Sequence, residues 1–281
     1  MTTMKTKIIV CTHKVADMPE HEYFFPIEAG AALHRQQMPY TPDNTGENIS
    51  AKNQHYCELT AHYWAWKNLK GEADIIGLNH YRRYFDFERK WKRFSPDGSF
   101  ALLDDFLKKT YIFPDLEKLL IDYDIILPNT RNYPFCVATQ YAAWHIVDDW
   151  RILKEVIKDL SPEYILAFEE TMERRNYYSG YNMFITKWSL FDEYSEWLFK
   201  ILFEVEKRCK LSDYPVQSRI FGYMSERLIN VFCEYKKLRI KRVPIIMPIE
   251  EYAPWMNPGN LRYCWWSLKN DIAFKIAPLR L

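Results

Sequence analysis

Short apolar runs of strand length alternate along this chain with longer segments in which apolar residues recur at helical spacing. The runs that read as buried strands cover 7–12, 74–79, 123–128, 180–186 and 240–246. The segments with helical spacing cover 59–69, 146–160, 190–201 and 216–231. Strands that alternate with helices pair in parallel and carry the helices on the faces of their sheet. The pattern therefore predicts an α/β fold with a mostly parallel central sheet.

Two long stretches lack this alternation. The segment 17–53 is rich in Pro, Asn, Asp and Gly, and we predict an ordered loop within it at 40–50. The segment 86–113 is rich in charged residues, so we expect a surface insertion with a basic patch at 89–93.

Motif spacing and charge exclude several classes of protein. The eight glycines among the 281 residues are not placed as in a Rossmann fingerprint, a P-loop or a hydrolase nucleophile elbow. Lysine plus arginine balance aspartate plus glutamate at 38 to 37, so the overall charge does not favour a nucleic-acid partner. The six cysteines form no C-x-x-C pair and H-E-x-x-H is absent, which leaves no zinc or redox motif.

The amino-terminal residues are polar and lead directly into the first strand, unlike a signal peptide. No apolar run approaches the roughly 20 residues that a transmembrane helix needs. We therefore expect a cytoplasmic protein with reduced thiols.

Polar residues follow the predicted strands at the point where each one ends. They are His13 and Lys14 after the first strand, Asn79, His80, Arg82 and Arg83 after the second, Asn129 and Arg131 after the third, and Asn182 within the fourth. Ligands of open α/β sheets bind beyond the carboxyl ends of the strands, so we expect these side chains to converge. Cations and amides together fit a polyanion, and Tyr81, Tyr84 and Tyr133 could stack on a base or a sugar. The set predicts a nucleotide-diphosphate site, although any single member could equally be solvated surface.

Six blocks of sequence together resemble one known family. They are IIVCTHK (8–14), DNTGENIS (43–50), YCELT (56–60) with YWAWKN (63–68), IGLNHYRRYF (76–85), NMFI (182–185) and RIFGYMSERL (219–228). From about residue 6 to about residue 250, the chain resembles the DUF4422 family of bacterial capsular polysaccharide and exopolysaccharide glycosyltransferases. The resemblance implies a GT-A-like fold and transfer of a sugar from a nucleotide-diphosphate donor to a growing glycan. Some members are assigned as galactofuranosyltransferases.

The resemblance also implies an organisation and a set of partners. We expect one GT-A-like domain over 1–255, with a nucleotide-sugar half at about 1–130 and an acceptor and catalytic half at about 131–255. A helical, aromatic and basic tail would follow at 256–281. The expected donor is a UDP-sugar. The expected acceptor is an oligosaccharide on polyprenyl diphosphate at the inner leaflet, in capsule, exopolysaccharide or O-antigen synthesis.

GT-A enzymes commonly hold Mn²⁺ or Mg²⁺ with an Asp-x-Asp pair, and the matching position here reads Asn79-His-Tyr-Arg-Arg83. Divalent cations of this kind prefer carboxylate oxygens, whereas guanidinium groups can neutralise a leaving diphosphate directly. We therefore predict metal-independent transfer with no cofactor, in which Arg82 or Arg83 acts with His80 or Lys14. Neighbouring residues on a strand face opposite ways, so an extended segment would use only one arginine. A requirement for Mn²⁺ or Mg²⁺ stays open.

An inverting transfer, which is carried from the resemblance, needs a base for the acceptor hydroxyl. Glu226 is the first candidate because it shares a predicted helix face with Arg219 and Tyr223. The alternative is a surface glutamate paired with a neighbouring arginine. His145 and Asp148, near the start of another helix, are the second candidates. Residues predicted to contact the acceptor or the sugar are Tyr84, Asn182, Arg219 and Tyr223.

The polar stretch 43–50 and the residues after it have two interpretations. This stretch, with Asp43 and Asn48, could bind the base, the ribose or the donor sugar together with Asn53 and Glu58, or it could form an Asx-rich turn that caps the next helix. The tail at 256–281 likewise could lie at the inner membrane surface, or could pack on the catalytic domain. The competing function is a non-catalytic nucleotide-sugar or glycan-binding protein of a polysaccharide synthesis complex. A nucleotidyltransferase is disfavoured because the expected glycine-rich loop and acidic metal ligands are missing.

Overall fold

The computed structural model describes residues 4–88, 98–252 and 261–276. In chain order, its strands are β1 (Thr6–Thr12), β2 (Phe24–Glu28), β3 (Thr41–Pro42), β4 (Ile75–His80), β5 (Tyr84–Phe85), β6 (Gly98–Leu102), β7 (Ile125–Pro128), β8 (Arg131–Asn132), β9 (Tyr177–Tyr178), β10 (Phe184–Lys187), β11 (Ile240–Val243) and β12 (Ile245–Ile249). Its α-helices are α1 (Asn53–Tyr56), α2 (Leu59–Asn68), α3 (Leu103–Leu107), α4 (Leu116–Asp122), α5 (Val137–Trp144), α6 (Val147–Leu160), α7 (Ile165–Phe168), α8 (Trp188–Arg208), α9 (Ile220–Tyr235) and α10 (Leu261–Ile276).

The central sheet has seven strands in the order β11-β7-β10-β4-β1-β2-β3. Neighbouring strands pair in parallel, except that β10 runs antiparallel to β4 and β7. Helices α2, α8 and α9 share a hydrophobic cluster with Ile9, Leu78 and Phe184 on one face of this sheet. The predicted mostly parallel α/β sheet with flanking helices is confirmed.

Helix α9 illustrates why these segments are helical. Its residues Ile220, Met224, Leu228 and Val231 recur at helical spacing and are all buried. Burying such an apolar stripe against a sheet supplies most of the stability of a helix in a protein. The stripe is the one from which the sequence predicts this helix.

The other face of the central sheet is covered by a three-stranded sheet in the order β5-β12-β6. Ile8 and Ile126 of the central sheet join Phe85 and Ile245 of the smaller sheet in a second hydrophobic cluster. Because side chains alternate along a strand, Ile9 and Cys11 face the helices while Ile8 and Val10 face the smaller sheet. The helical face is the one on which the cleft described below opens.

Two predicted strands differ from the observed ones. The run 240–246 forms two strands in different sheets, because Pro244 between β11 and β12 lacks the N–H needed to continue a ladder. The run 180–186 becomes extended only at Phe184. Tyr181 and Asn182 before it have φ values of 74° and 50°, in the left-handed region, so they form a turn.

The two stretches predicted to lack strands contain some. The segment 17–53 contributes β2, which pairs in parallel with β1 although Pro26 stands at its centre. The segment 86–113 contributes β6 and α3, and β6 is held by a parallel partner, β12, far away in sequence. The expected basic patch at 89–93 lies outside the described residues.

Helix α10 provides the helical carboxyl-terminal part that the sequence predicts. It is attached to the body through Asp271, whose Oδ1 accepts a hydrogen bond from Asn132 Nδ2 at 3.0 Å. The carbonyl oxygen of Phe274 accepts a second bond from Asn176 Nδ2 at 2.9 Å. Within the described ranges, no helix combines the length and the hydrophobicity that crossing a bilayer requires.

Candidate functional site

A cleft of about 730 Å³ opens at the carboxyl ends of β1 and β4. Its walls come from the ends of those strands, from the junction of α1 and α2, from the turn before β10 and from the start of α9. The lining residues are Cys11, His13, Ala29, Asn53, Gln54, Cys57, Glu58, His80, Tyr81, Arg82, Arg83, Tyr181, Asp213, Pro215, Ser218, Arg219, Tyr223 and Glu226. The convergence predicted for the strand ends is therefore present for His13, His80, Arg82 and Arg83.

The turn after β4 explains how both neighbouring arginines reach the cleft. Cys11 and His80 are paired across β1 and β4, so the two strands end at the same level. Tyr81 N then donates to the Cys11 carbonyl at 3.1 Å, and Arg83 N donates to the His80 carbonyl at 3.0 Å. Because the chain turns here instead of remaining extended, Arg82 and Arg83 both line the cleft. The expectation that an extended segment would supply only one arginine does not apply.

Three arginines give one part of the cleft a positive charge. The guanidinium carbon of Arg82 lies 5.3 Å from the ring centre of Tyr81, that of Arg83 5.0 Å from Tyr181, and that of Arg219 5.7 Å from Tyr223. None of the three forms an ion pair within the part of the chain that the structure describes. Their charges are thus available to an anionic ligand.

The two histidines of the cleft are held neutral. Burial lowers the pKa of His80 to about 4, and its Nε2–H donates to the Tyr181 carbonyl at 2.5 Å. Burial, together with Arg82 and Lys14, also lowers the pKa of His13. At neutral pH these rings therefore contribute hydrogen bonds, and the positive charge comes from the arginines.

Two carboxylates, Glu58 and Glu226, line the same cleft. Glu58 Oε1 accepts a hydrogen bond from Asn182 Nδ2 at 2.6 Å, and the same amide donates to the Gly222 carbonyl at 3.0 Å. Asn182 is therefore buried beneath the cleft, where it fixes Glu58 relative to α9. Glu226 is only partly covered, with 23% of its side chain exposed. Burial and the nearby Glu58 raise its pKa above the usual range, while Arg227 and Arg83 oppose that shift.

Backbone strain is concentrated at this cleft. Cys57, Tyr181 and Asn182 all have left-handed φ values, and only Lys237 shares this feature among the other described residues that are not glycine. Strained conformations in folded proteins cluster at functional sites. Cys57 Sγ also accepts a hydrogen bond from Arg219 Nε at 3.3 Å, which ties the α1–α2 junction to the start of α9.

The polar stretch 43–50 has a structural role. The carboxylate of Asp43 accepts from the backbone N–H groups of Gly30 and Ala31 at 2.9 and 3.0 Å. Asn48 bonds within its own turn, to the Gly46 carbonyl and the Ser50 N–H. The bonds of Asn48 fit the Asx-turn alternative, whereas Asp43 binds the earlier backbone at Gly30 and Ala31 and does not cap the helix that follows it. Asn53 does line the cleft, but its amide donates to the Cys57 carbonyl at 2.7 Å and so shapes the α1–α2 junction.

Three other predicted residues lie beside or beneath the cleft. Lys14 Nζ is 5.6 Å from the ring centre of Tyr81, at the margin of the lining. Tyr84 is fully buried, and its hydroxyl donates to the Tyr81 carbonyl at 3.1 Å, so it supports the turn from below. Asn79 is fully buried opposite Val10, and its side-chain amide has no hydrogen-bond partner among the described residues.

The structure separates His145 from Asp148. The His145 ring lies 4.1 Å from that of Tyr223, behind the cleft wall, and burial with Arg227 nearby lowers its pKa to about 4. The Asp148 side chain is 76% exposed and pairs with Arg151 at 2.9 Å. These two side chains do not share a site.

Sequence reasoning named Glu58 only as a possible ligand of the base, ribose or sugar, and it did not single out Tyr181 or the bond between Cys57 and Arg219. No sequence signal marks Tyr181, because its role depends on the turn before β10. Among the described residues, no group of three His, Cys, Asp or Glu side chains could hold a metal ion.

Comparisons with known proteins agree on one relationship. The family model for the domain of unknown function DUF4422 matches residues 7–237. The apo structure of WbbM, described as a bifunctional glycosyltransferase, aligns with 87% of this chain at a TM-score of 0.76 and 26% sequence identity. The aligned part makes up 45% of the WbbM chain, so this chain spans about half of that protein. No curated protein sequence matches the chain.

Proposed function

The chain belongs to the DUF4422 family, and from this premise we propose that it is a glycosyltransferase that moves a sugar from a UDP-sugar to a glycan acceptor. The observation that carries the proposal is a cleft lined by two glutamates and by three arginines that pair with no carboxylate of the described residues. The likeness to a protein described as a glycosyltransferase supports the reaction class. The whole reaction, its substrates and its setting in capsule, exopolysaccharide or O-antigen synthesis are part of the proposal.

The arginines would hold the diphosphate of the donor. Guanidinium groups bond phosphate oxygens in pairs and keep their charge at all physiological pH values. Arg82 and Arg83 follow the carboxyl end of β4, where ligands of such sheets bind. Tyr81, Tyr181 and Tyr223 line the same cleft and offer ring faces to the base or the sugar.

Glu226 would act as the base. The acceptor hydroxyl gives its proton to the Glu226 carboxylate while its oxygen forms a bond to the anomeric carbon. The bond from that carbon to the diphosphate breaks, and the electron pair leaves with UDP, whose added charge the arginines stabilise. Glu58 is less suited because Asn182 holds one of its oxygens. A direct displacement of this kind inverts the anomeric centre.

Transfer is expected to proceed without a divalent metal. The enzyme incubated with a panel of UDP-hexopyranoses and UDP-galactofuranose, plus a lipid-linked acceptor, should release UDP at the same rate with and without EDTA. Arginines instead of carboxylates follow β4, which is the physical reason. Loss of activity in EDTA with recovery in Mn²⁺ would contradict the prediction. No UDP release with any donor would favour the non-catalytic binding protein.

We further propose that α10 rests on the inner face of the cytoplasmic membrane, near a polyprenyl-diphosphate-linked acceptor. Its outward stripe consists of exposed apolar residues at helical spacing, namely Leu261, Trp265, Leu268, Ile272 and Ile276. Arg262, Lys269 and Lys275 are exposed beside the stripe, whereas Asp271 faces the body. Apolar and basic groups together favour an anionic lipid surface.

The double substitution of Trp265 and Leu268 by serine should weaken binding to phosphatidylglycerol-containing vesicles by on the order of tenfold. Vesicle co-sedimentation measures this binding. Val15→Ser, at a residue that is 65% exposed on another surface, is the matched control and should bind vesicles normally. Unchanged binding of the double variant would show that α10 serves only to pack on the body.

A further inference from the structure

Exposed apolar side chains lie on two segments next to one wall of the cleft. Trp144 at the end of α5 is 70% exposed, and Tyr214 is 64% exposed, with Val216 beside it at 47%. Ile146 and Val147 are exposed to 37% and 39%. Exposed apolar groups that adjoin one another mark places where proteins contact other molecules.

Hydrogen bonds and ring contacts join these two segments to the cleft. Gln217 Nε2 donates to the Trp144 carbonyl at 3.0 Å, which fixes the end of α5 to the segment before α9. His145, the next residue, places its ring 4.1 Å from that of Tyr223, a lining residue. Tyr214 itself lies between Asp213 and Pro215, which both line the cleft. Trp144 and Tyr214 therefore border the cleft on the side of α9.

The chemistry of this border differs from that of the cleft. The exposed groups are aromatic and aliphatic. The charged neighbours in sequence are Asp213, next to Tyr214, and Asp148, which is next to Val147 and is paired with Arg151. A diphosphate or an anionic lipid surface would be repelled by Asp213. A sugar ring suits it better, because aromatic faces pack on the C–H face of a pyranose while a carboxylate accepts bonds from its hydroxyls.

We propose that Trp144 and Tyr214 form the acceptor-glycan subsite, in which they stack on the neutral sugar rings next to the hydroxyl that is glycosylated. This inference rests on the proposed transferase function, and it names a substrate class for the same cleft. It also gives the acceptor a direction of entry, along the wall formed by Tyr223 and Arg219 and towards Glu226.

Binding of neutral sugars tests the subsite without any donor or turnover. Saturation-transfer NMR with lactose, maltose and methyl β-galactoside should show that these sugars contact the wild-type protein. The saturation-transfer signal should fall about five- to tenfold for Trp144→Ala. Tyr214→Ala should act in the same direction, and Trp144→Phe should retain most of the signal. Leu166→Ala, at a residue 74% exposed on α7, is the matched control and should bind like wild type.

Kinetics separate this inference from the proposed function. With an active donor and acceptor, Trp144→Ala should raise the acceptor KM about five- to tenfold and leave the donor KM unchanged. If Trp144→Ala and Tyr214→Ala leave both the sugar contacts and the acceptor KM unchanged, the subsite is overturned even if transfer is found. If these two variants lose vesicle binding but keep sugar binding, the subsite is overturned in favour of a lipid contact. If wild type releases no UDP while its sugar contacts depend on Trp144, the transferase proposal fails and the sugar site stands.

Discussion

Replacing Arg83 with methionine should lower the rate of UDP release by about a hundred- to a thousandfold, the loss typical when one stabiliser of transition-state charge is removed. Arg83 is the cleft arginine whose charge contributes to the pKa shifts of both His80 and Glu226, so we expect it to act where the leaving group and the base meet. Because His80 and His13 are neutral at pH 7, neither ring can replace the lost charge.

The Arg83→Met experiment needs steady-state UDP release and an independent measure of donor binding. Arg82→Met should lose less turnover and more donor affinity, since the charge of Arg82 lowers the pKa of His13, whereas that of Arg83 opposes the pKa shift of Glu226. Arg174→Met is the matched control, because that arginine is 73% exposed and pairs with Glu170 outside the cleft. If Arg83→Met turns over at the wild-type rate, the diphosphate is held elsewhere and the proposed mechanism is wrong.

The sequence was sufficient to predict the mostly parallel central sheet, but not its strands β2 and β3, and to predict part of the site. Apolar runs bounded by polar residues predicted β1, β4 and β7, because a buried strand must be apolar throughout. The rule that ligands bind at the carboxyl ends of parallel strands then predicts that His13, His80, Arg82 and Arg83 come together. The proposed roles of these residues stay predictions until they are measured.

The remaining parts depend on contacts between residues that are distant in sequence. Glu58 faces Glu226 only because Asn182, from a left-handed turn before β10, joins the α1–α2 junction to α9. The second sheet forms because β6 finds β12, a pairing that no local pattern encodes. Tyr84 is an aromatic residue that could stack on a ligand, but it is buried, because it begins β5 of that second sheet and lies beneath the turn that it supports.

Glu226→Gln should reduce turnover by about a hundred- to ten-thousandfold while donor binding is retained, because it removes the proton acceptor and leaves the arginines in place. The pH dependence gives a sharper test. A base must be deprotonated, and the pKa of Glu226 is raised, so the wild-type rate should fall with decreasing pH at values above the usual range for glutamate. The residual rate of Glu226→Gln should lack this acidic limb.

Glu58→Gln is the matched variant for this test. Glu58 raises the pKa of Glu226, so removing its charge should move the acidic limb to lower pH without abolishing turnover. If Glu58 were the base, the two variants would exchange behaviours. Stability supplies a further check, because a carboxyl whose pKa is raised by folding destabilises the folded state at pH values above its unfolded pKa. Glu226→Gln should therefore melt at or above the wild-type Tm at pH 7, which would attribute its lost activity to the missing base and not to unfolding.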